Sequence, residues 1–150
     1  MNPTDIEPLI DQALVWLQVE IAACQPLLRP LTPDEAELAR ATGVQRPELV
    51  RLGLVDRMPI PLEPALKQAS VALGLFTEAM TALAAGYVVL IKQGHATPAL
   101  LRHELRLVYH FEQAGSVEAY FRHYLSEVFQ FGYGHTPMES DAAAVVAGQA

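Results

Sequence analysis

Apolar residues at Leu9, Ile10, Ala13, Leu14, Leu17, Ile21 and Cys24 recur every three or four positions. That spacing predicts an amphipathic helix over residues 8–25, because 3.6 residues per turn brings these positions onto one face. Pro26 and Pro30 end it, since proline lacks the amide a helix interior needs. Thr32-Pro33-Asp34-Glu35 is a capping box, with threonine as N-cap, proline in the first turn and glutamate three residues on. It predicts a short helix to Thr42, stopped by Gly43. The period then falls to two. Val50, Leu52 and Leu54 alternate with Arg51, Gly53 and Val55, which predicts a half-buried strand over residues 50–58, closed by Pro59 and Pro61.

A further helix fits residues 62–73, with Gly74 as its C-cap. Tyr87-Val88-Val89-Leu90-Ile91 is short and rich in β-branched residues, so residues 84–92 read as one buried strand. Thr97-Pro98 opens a helix to residue 113, and Ser116 caps another over residues 117–131. Gly132-Tyr133-Gly134-His135 is a loop, and Thr136-Pro137-Met138-Glu139 is a second capping box that starts a last short helix, whose alanines from Ala142 onward are expected to fray. The pattern predicts an α+β fold: a helical majority with a small sheet of about two strands. Residues 1–44 read as a helical N-terminal segment packed on a domain formed by residues 45–150.

Composition narrows the function classes. A chain of 150 residues that is 51% hydrophobic has ample material for one packed core. The formal charge is −7 and no run of Lys or Arg occurs, which argues against nucleic acid and suits a protein or peptide partner better. The single cysteine, Cys24, excludes a disulfide framework and multi-cysteine zinc sites; on the apolar face of the first helix it reads as an inert thiol. Residues 69–91 are long and apolar enough to raise a membrane span, but Glu78 sits mid-run, Gly74 and Gly86 interrupt it, and Thr77 and Thr81 add polar groups. The N-terminal residues are acidic and polar, without the basic and apolar regions of a secretory signal, so a cytoplasmic location is expected. The apolar first helix would serve a partner or a second copy, although packing on its own domain is the plainer reading.

Candidate chemistry sits in the helix predicted at 98–113, which carries His103-Glu104-Leu105-Arg106-Leu107. In an H-E-x-x-H helix two histidines four apart chelate zinc, and the glutamate after the first is general base on the bound water. Here the second position is Leu107. The surrounding run, from Leu100-Leu101-Arg102-His103-Glu104 through Tyr109-His110-Phe111-Glu112-Gln113-Ala114-Gly115-Ser116, resembles a bacterial zincin-like (gluzincin-type) metallopeptidase family. The likeness continues through Tyr120-Phe121-Arg122-His123-Tyr124-Leu125 and through Gly132-Tyr133-Gly134-His135-Thr136-Pro137-Met138-Glu139. Ala85-Gly86-Tyr87-Val88-Val89-Leu90-Ile91 resembles the family's strand before the zinc helix.

The resemblance implies His103 as first zinc ligand, Glu104 as general base and Glu139 as the downstream ligand. It places Leu107 where the second ligand stands and His110 where the family has glutamine. Seven residues on from His103, His110 is displaced by about 10.5 Å along the helix, too far to share one zinc ion with it. His135 and His123 remain as candidates to replace the lost ligand. Plainer readings stand beside these. His103 would be a buried imidazole satisfied by a carboxylate, Glu104 a solvated carboxylate or a partner for Arg102 or Arg106, and Glu139 the glutamate of its capping box. The tyrosines and phenylalanines between Tyr109 and Tyr133 recur at helical spacing and read as core. Two functions follow: a degenerate zincin-like domain acting as a binding or structural module, or a small zinc-dependent hydrolase built on His103, Glu139 and Glu104.

Overall fold

A computed structural model describes residues 3–148. The fold is α+β and helix-rich. Its elements are α1 (Pro3–Ala23), β1 (Leu28–Pro30), α2 (Pro33–Ala41), β2 (Arg51–Val55), α3 (Pro64–Leu73), β3 (Ala82–Ala85), β4 (Val88–Lys92), α4 (Pro98–Ala114), α5 (Val117–Phe131) and α6 (Pro137–Gly148). Among the described residues no helix is long and apolar enough to cross a membrane. The apolar run at residues 69–91 is divided instead between the end of α3, a loop and a hairpin.

Helix boundaries follow the local signals. Thr32 accepts from the Glu35 amide while the Glu35 carboxylate accepts from the Thr32 amide, the two halves of the predicted box. Glu63 caps α3 by accepting from the Ala65 and Leu66 amides, and Gly74, at φ 72°, takes the left-handed conformation that ends it. Helix α1 begins earlier than the periodicity predicts and contains Pro8, whose missing amide removes one helix bond near the N-terminal end.

The sheet is larger than predicted. It has four strands in the order β1-β2-β4-β3. β2 and β4 are parallel, the chain between them passing through α3 and then β3, while β1 pairs antiparallel with β2 and β3 antiparallel with β4. Leu28–Pro30 carries two prolines around it and is too short to show a period. It is held as an edge strand by its register with Gly53, Leu52 and Arg51. The stretch read as one strand over residues 84–92 is a hairpin: Ala85 faces Val88 across a two-residue loop, Gly86-Tyr87. Gly86 has φ 66°, as a tight hairpin turn with glycine at its first central position requires. Alanine has low strand propensity, so Ala82–Ala85 carries no strand signal of its own. Tertiary pairing supplies it.

Helices pack against the sheet and against one another. The buried face of α4, with Leu101, Leu105, Leu107 and Val108, lies against β3, and α1 packs with α3 and α5. Tyr120, Phe121 and Tyr124 of α5 are buried, as the helical spacing predicts, whereas Phe131 and Tyr133 are exposed. Cys24 is half-buried, and burial and then Glu20 raise its thiol above the ordinary value, which disfavours the reactive thiolate.

The hairpin turn is a sensitive point. A Cβ at Gly86 would sit 2.9 Å from Val117 Cγ2, on a backbone conformation that L-residues rarely adopt. Gly86→Ala is expected to cost about 2 kcal/mol, from strain and this contact together, read as a lower urea midpoint. An unchanged midpoint would show that the turn is not built this way.

Candidate functional site

Helix α4 is rotationally fixed by polar bonds on the side away from its apolar face. Arg106 donates to the Thr42 carbonyl at 2.7 Å and to Asp141 of α6 at 2.8 Å, and stacks over the Tyr109 ring. Glu112 accepts from the Gln45 and Arg46 amides and from the Tyr87 hydroxyl at 2.8, 3.0 and 2.9 Å. These anchors bind the loop after α2, the hairpin turn and α6 to one helix. They leave His103, Glu104 and Leu107 directed to a cavity of about 80 Å3 between β3, α4, α5 and α6.

His103 and Glu139, 36 residues apart, meet there: His103 Nε2 lies 2.5 Å from Glu139 Oε2. The Tyr124 hydroxyl donates to Glu139 Oε1 at 2.9 Å. Thr136 performs its half of the second capping box by accepting from the Glu139 amide at 3.0 Å. The Glu139 carboxylate, however, is used by His103 and Tyr124 rather than by the N-cap amide. The amide of Met138 finds Glu127 instead, at 3.0 Å. Both readings of Glu139 therefore hold in part, the backbone as cap and the side chain as partner of His103.

Glu104 is only 4% exposed, so the reading of it as a solvated carboxylate is overturned. Neither Arg102 nor Arg106 reaches it, and it has no hydrogen-bond partner among the described residues. Burial pushes its carboxyl up to about 8, with neighbouring His103 pulling down and Glu139 pushing up. The hydrogen bond to Glu139 raises His103 against the opposing effect of burial. For Glu139 burial acts upward but is outweighed by the bond and charge of His103 and by Tyr124, so its carboxyl stays low. Both shifts favour the charged form of the pair, an imidazolium against a carboxylate. Tyr133 is 37% exposed as a residue, yet its side chain also lines the cavity, where loss of water around the hydroxyl and then the carboxylates of Glu139 and Glu104 push it up to about 12.

The other histidines do not join. His110 lies 2.7 Å from Asp141, on a different face of α6 from Glu139. His123 is largely exposed and pairs with Glu127 at 2.8 Å. His135 is exposed and does not line the cavity. Leu107 is buried in the cavity wall, on the same side of α4 as His103.

This arrangement does not fit zinc. Two atoms bound to one tetrahedral zinc at about 2.0–2.2 Å lie roughly 3.3 Å apart, so His103 and Glu139 are closed on each other rather than spaced around an ion. Leu107 offers no third ligand, and among the described residues no group of three His, Cys, Asp or Glu side chains is placed to hold a metal ion. Tyr120, Tyr124, Tyr133 and the edge strand β3 also line the site, although helical spacing marks the tyrosines only as core. Spacing along a helix cannot tell a ring that lines a cavity from one that fills it. No family model matches the chain, and neither the curated proteins nor the solved structures contain a match.

The pKa directions give the site a pH signature. Raised His103 contributes stability that is full below the unfolded histidine value and is lost as pH rises through its folded value. Glu104 is raised, so the folded state resists its ionisation; the penalty is absent below the unfolded carboxylate range and complete above about 8. Both effects lower stability as pH rises. Depressed Glu139 contributes stability above the unfolded carboxylate range that is lost on acidification. The melting temperature of the native chain is expected to fall from mildly acidic to mildly alkaline pH. In Glu104→Gln the fall should be shallower, by the equivalent of a few kcal/mol. Parallel profiles for the two proteins would show that Glu104 ionises normally in the fold.

Proposed function

We propose that this chain is a degenerate zincin-like domain without zinc that acts as a binding module, with the cavity at His103, Glu104 and Glu139 as its binding site. The direct His103–Glu139 bond beside the buried Leu107 carries this reading. Hydrolysis by such a site needs a metal to generate the nucleophile from water. Here one ligand position is an isobutyl side chain and the other two are each other's partners. Glu104 favours a binding role over a purely structural one. An unpartnered buried carboxyl costs stability that an apolar residue of similar size would not, and such groups cluster where a protein meets a ligand.

Substitution of Leu107 separates a lost metal site from one that never existed. Four residues is one helical turn plus about 40°, so Leu107→His would point a second imidazole at the place His103 faces, with Glu139 free to be the third ligand. The native chain is expected to retain no stoichiometric zinc by elemental analysis after purification. The variant should take up one ion per chain and melt at a higher temperature with zinc than without it. One tightly held zinc in the native chain would overturn the reading. A folded variant that takes up none would remove its claim to a zincin-like ancestry.

A further inference from the structure

The cavity beside His103 contains acceptors that its own walls do not satisfy. We propose that it binds a primary ammonium group, carried by a small amine or by a lysine side chain, an inference that rests on reading the chain as a binding module.

Three observations point to this chemistry. First, the Glu104 carboxyl and the Tyr120 hydroxyl both belong to residues at most 4% exposed, both residues line the cavity, and neither group has a hydrogen-bond partner among the described residues. Second, β3 is the edge of the sheet. Ala85 and Val88 close the two-residue hairpin, and the Lys92 amide donates to the Thr81 carbonyl at 2.8 Å, so Ala85, Leu83 and Thr81 form the hydrogen-bonded pairs with β4. Ala82 and Ala84 therefore turn both their amides and their carbonyls to the free edge, which offers acceptors as well as donors, and both residues line the cavity. Third, no Lys or Arg lines it, and its one cationic side chain, His103, is held by Glu139.

An anion entering this space would meet Glu104 and Glu139. A neutral hydroxyl would bring one donor. An ammonium group brings three donors to a carboxyl, a phenol oxygen and backbone carbonyls, and its positive charge would favour the ionised form that burial otherwise opposes at Glu104. The rings of Tyr120, Tyr124 and Tyr133 line the same space and add the attraction of aromatic faces for cations. A volume of about 80 Å3 admits the head group and a short methylene chain.

The test is calorimetric titration of the full-length chain, its zinc content first measured, with n-butylammonium, Nα-acetyl-lysine amide, tetramethylammonium and n-butanol. Saturable binding of butylammonium or of the lysine amide is expected, with none for butanol and weaker binding for tetramethylammonium, which has no N–H to donate. Binding of the lysine amide alone would identify a peptide side chain as the source, and binding of butylammonium alone a free amine. Glu104→Gln should weaken binding about tenfold or more. Tyr120→Phe, which leaves the charge in place, should weaken it less and provides a second variant if the first fails to fold. No saturable uptake of either amine by a folded, metal-free chain would overturn this inference and leave the module reading standing, as would undiminished affinity in both variants. Stoichiometric zinc in the native chain would overturn both.

Discussion

Helix α4 has to satisfy two surfaces at once, and its rotation about its own axis decides nearly everything else. Leu101, Leu105 and Val108 are buried on the face of α4 that packs against β3. With that face seated, helical geometry sends Arg106, His110 and Glu112 outward at fixed angles. Each finds partners far away in the chain: Thr42, Asp141, the amides of Gln45 and Arg46, and the Tyr87 hydroxyl. A rotation of even one residue would break these bonds together and leave charged groups against a core. The position of His103, Glu104 and Leu107 on the cavity is therefore a consequence of how the whole helix is seated.

Helix α6 depends on that seating. Its sequence is short on large apolar residues, and of its described side chains Met138 and Ala142 are the apolar ones that are buried. Burial of a methionine and an alanine is modest, so polar bonds do much of the attachment: His103 to Glu139, Arg106 and His110 to Asp141, and Glu127 to the Met138 amide. The bond to Glu139 lies in the wall of the cavity. The bond to Asp141, held low first by Arg106 and also by His110, lies on a more exposed side and acts as a plain clamp. Chemically similar imidazole–carboxylate pairs thus differ in consequence, because only one of them is next to a buried carboxyl.

That carboxyl is the least economical choice in the core. A leucine or methionine at position 104 would pack with the same helix face and remove the burial penalty. The proposed binding role gives the cost a purpose: the carboxyl faces the cavity, where a ligand would meet it. The same logic covers the free edge of β3, where small alanine side chains let the backbone approach the cavity closely instead of filling it.

The sequence alone determined which helices form and most of their ends, because caps and proline or glycine stops act over three or four residues, a range that the chain order displays directly. Helix α1 nevertheless starts earlier, and α6 continues as helix to Gly148 through the alanines from Ala142 expected from sequence to fray. The sequence also marked His103, Glu104, Leu107 and Glu139 as one group, through a resemblance that depends on spacing. It did not reveal β1 or β3. Leu28–Pro30 and Ala82–Ala85 are poor strand sequences that become strands only because β2 and β4 offer them a ladder of backbone donors and acceptors. Nor did it show whether Glu104 was solvated or buried, or which of two jobs Glu139 performs. Those outcomes are set by distances between α4, α5 and α6 after packing. Desolvation and hydrogen bonding across such distances depend on three-dimensional surroundings that no local pattern of residues encodes.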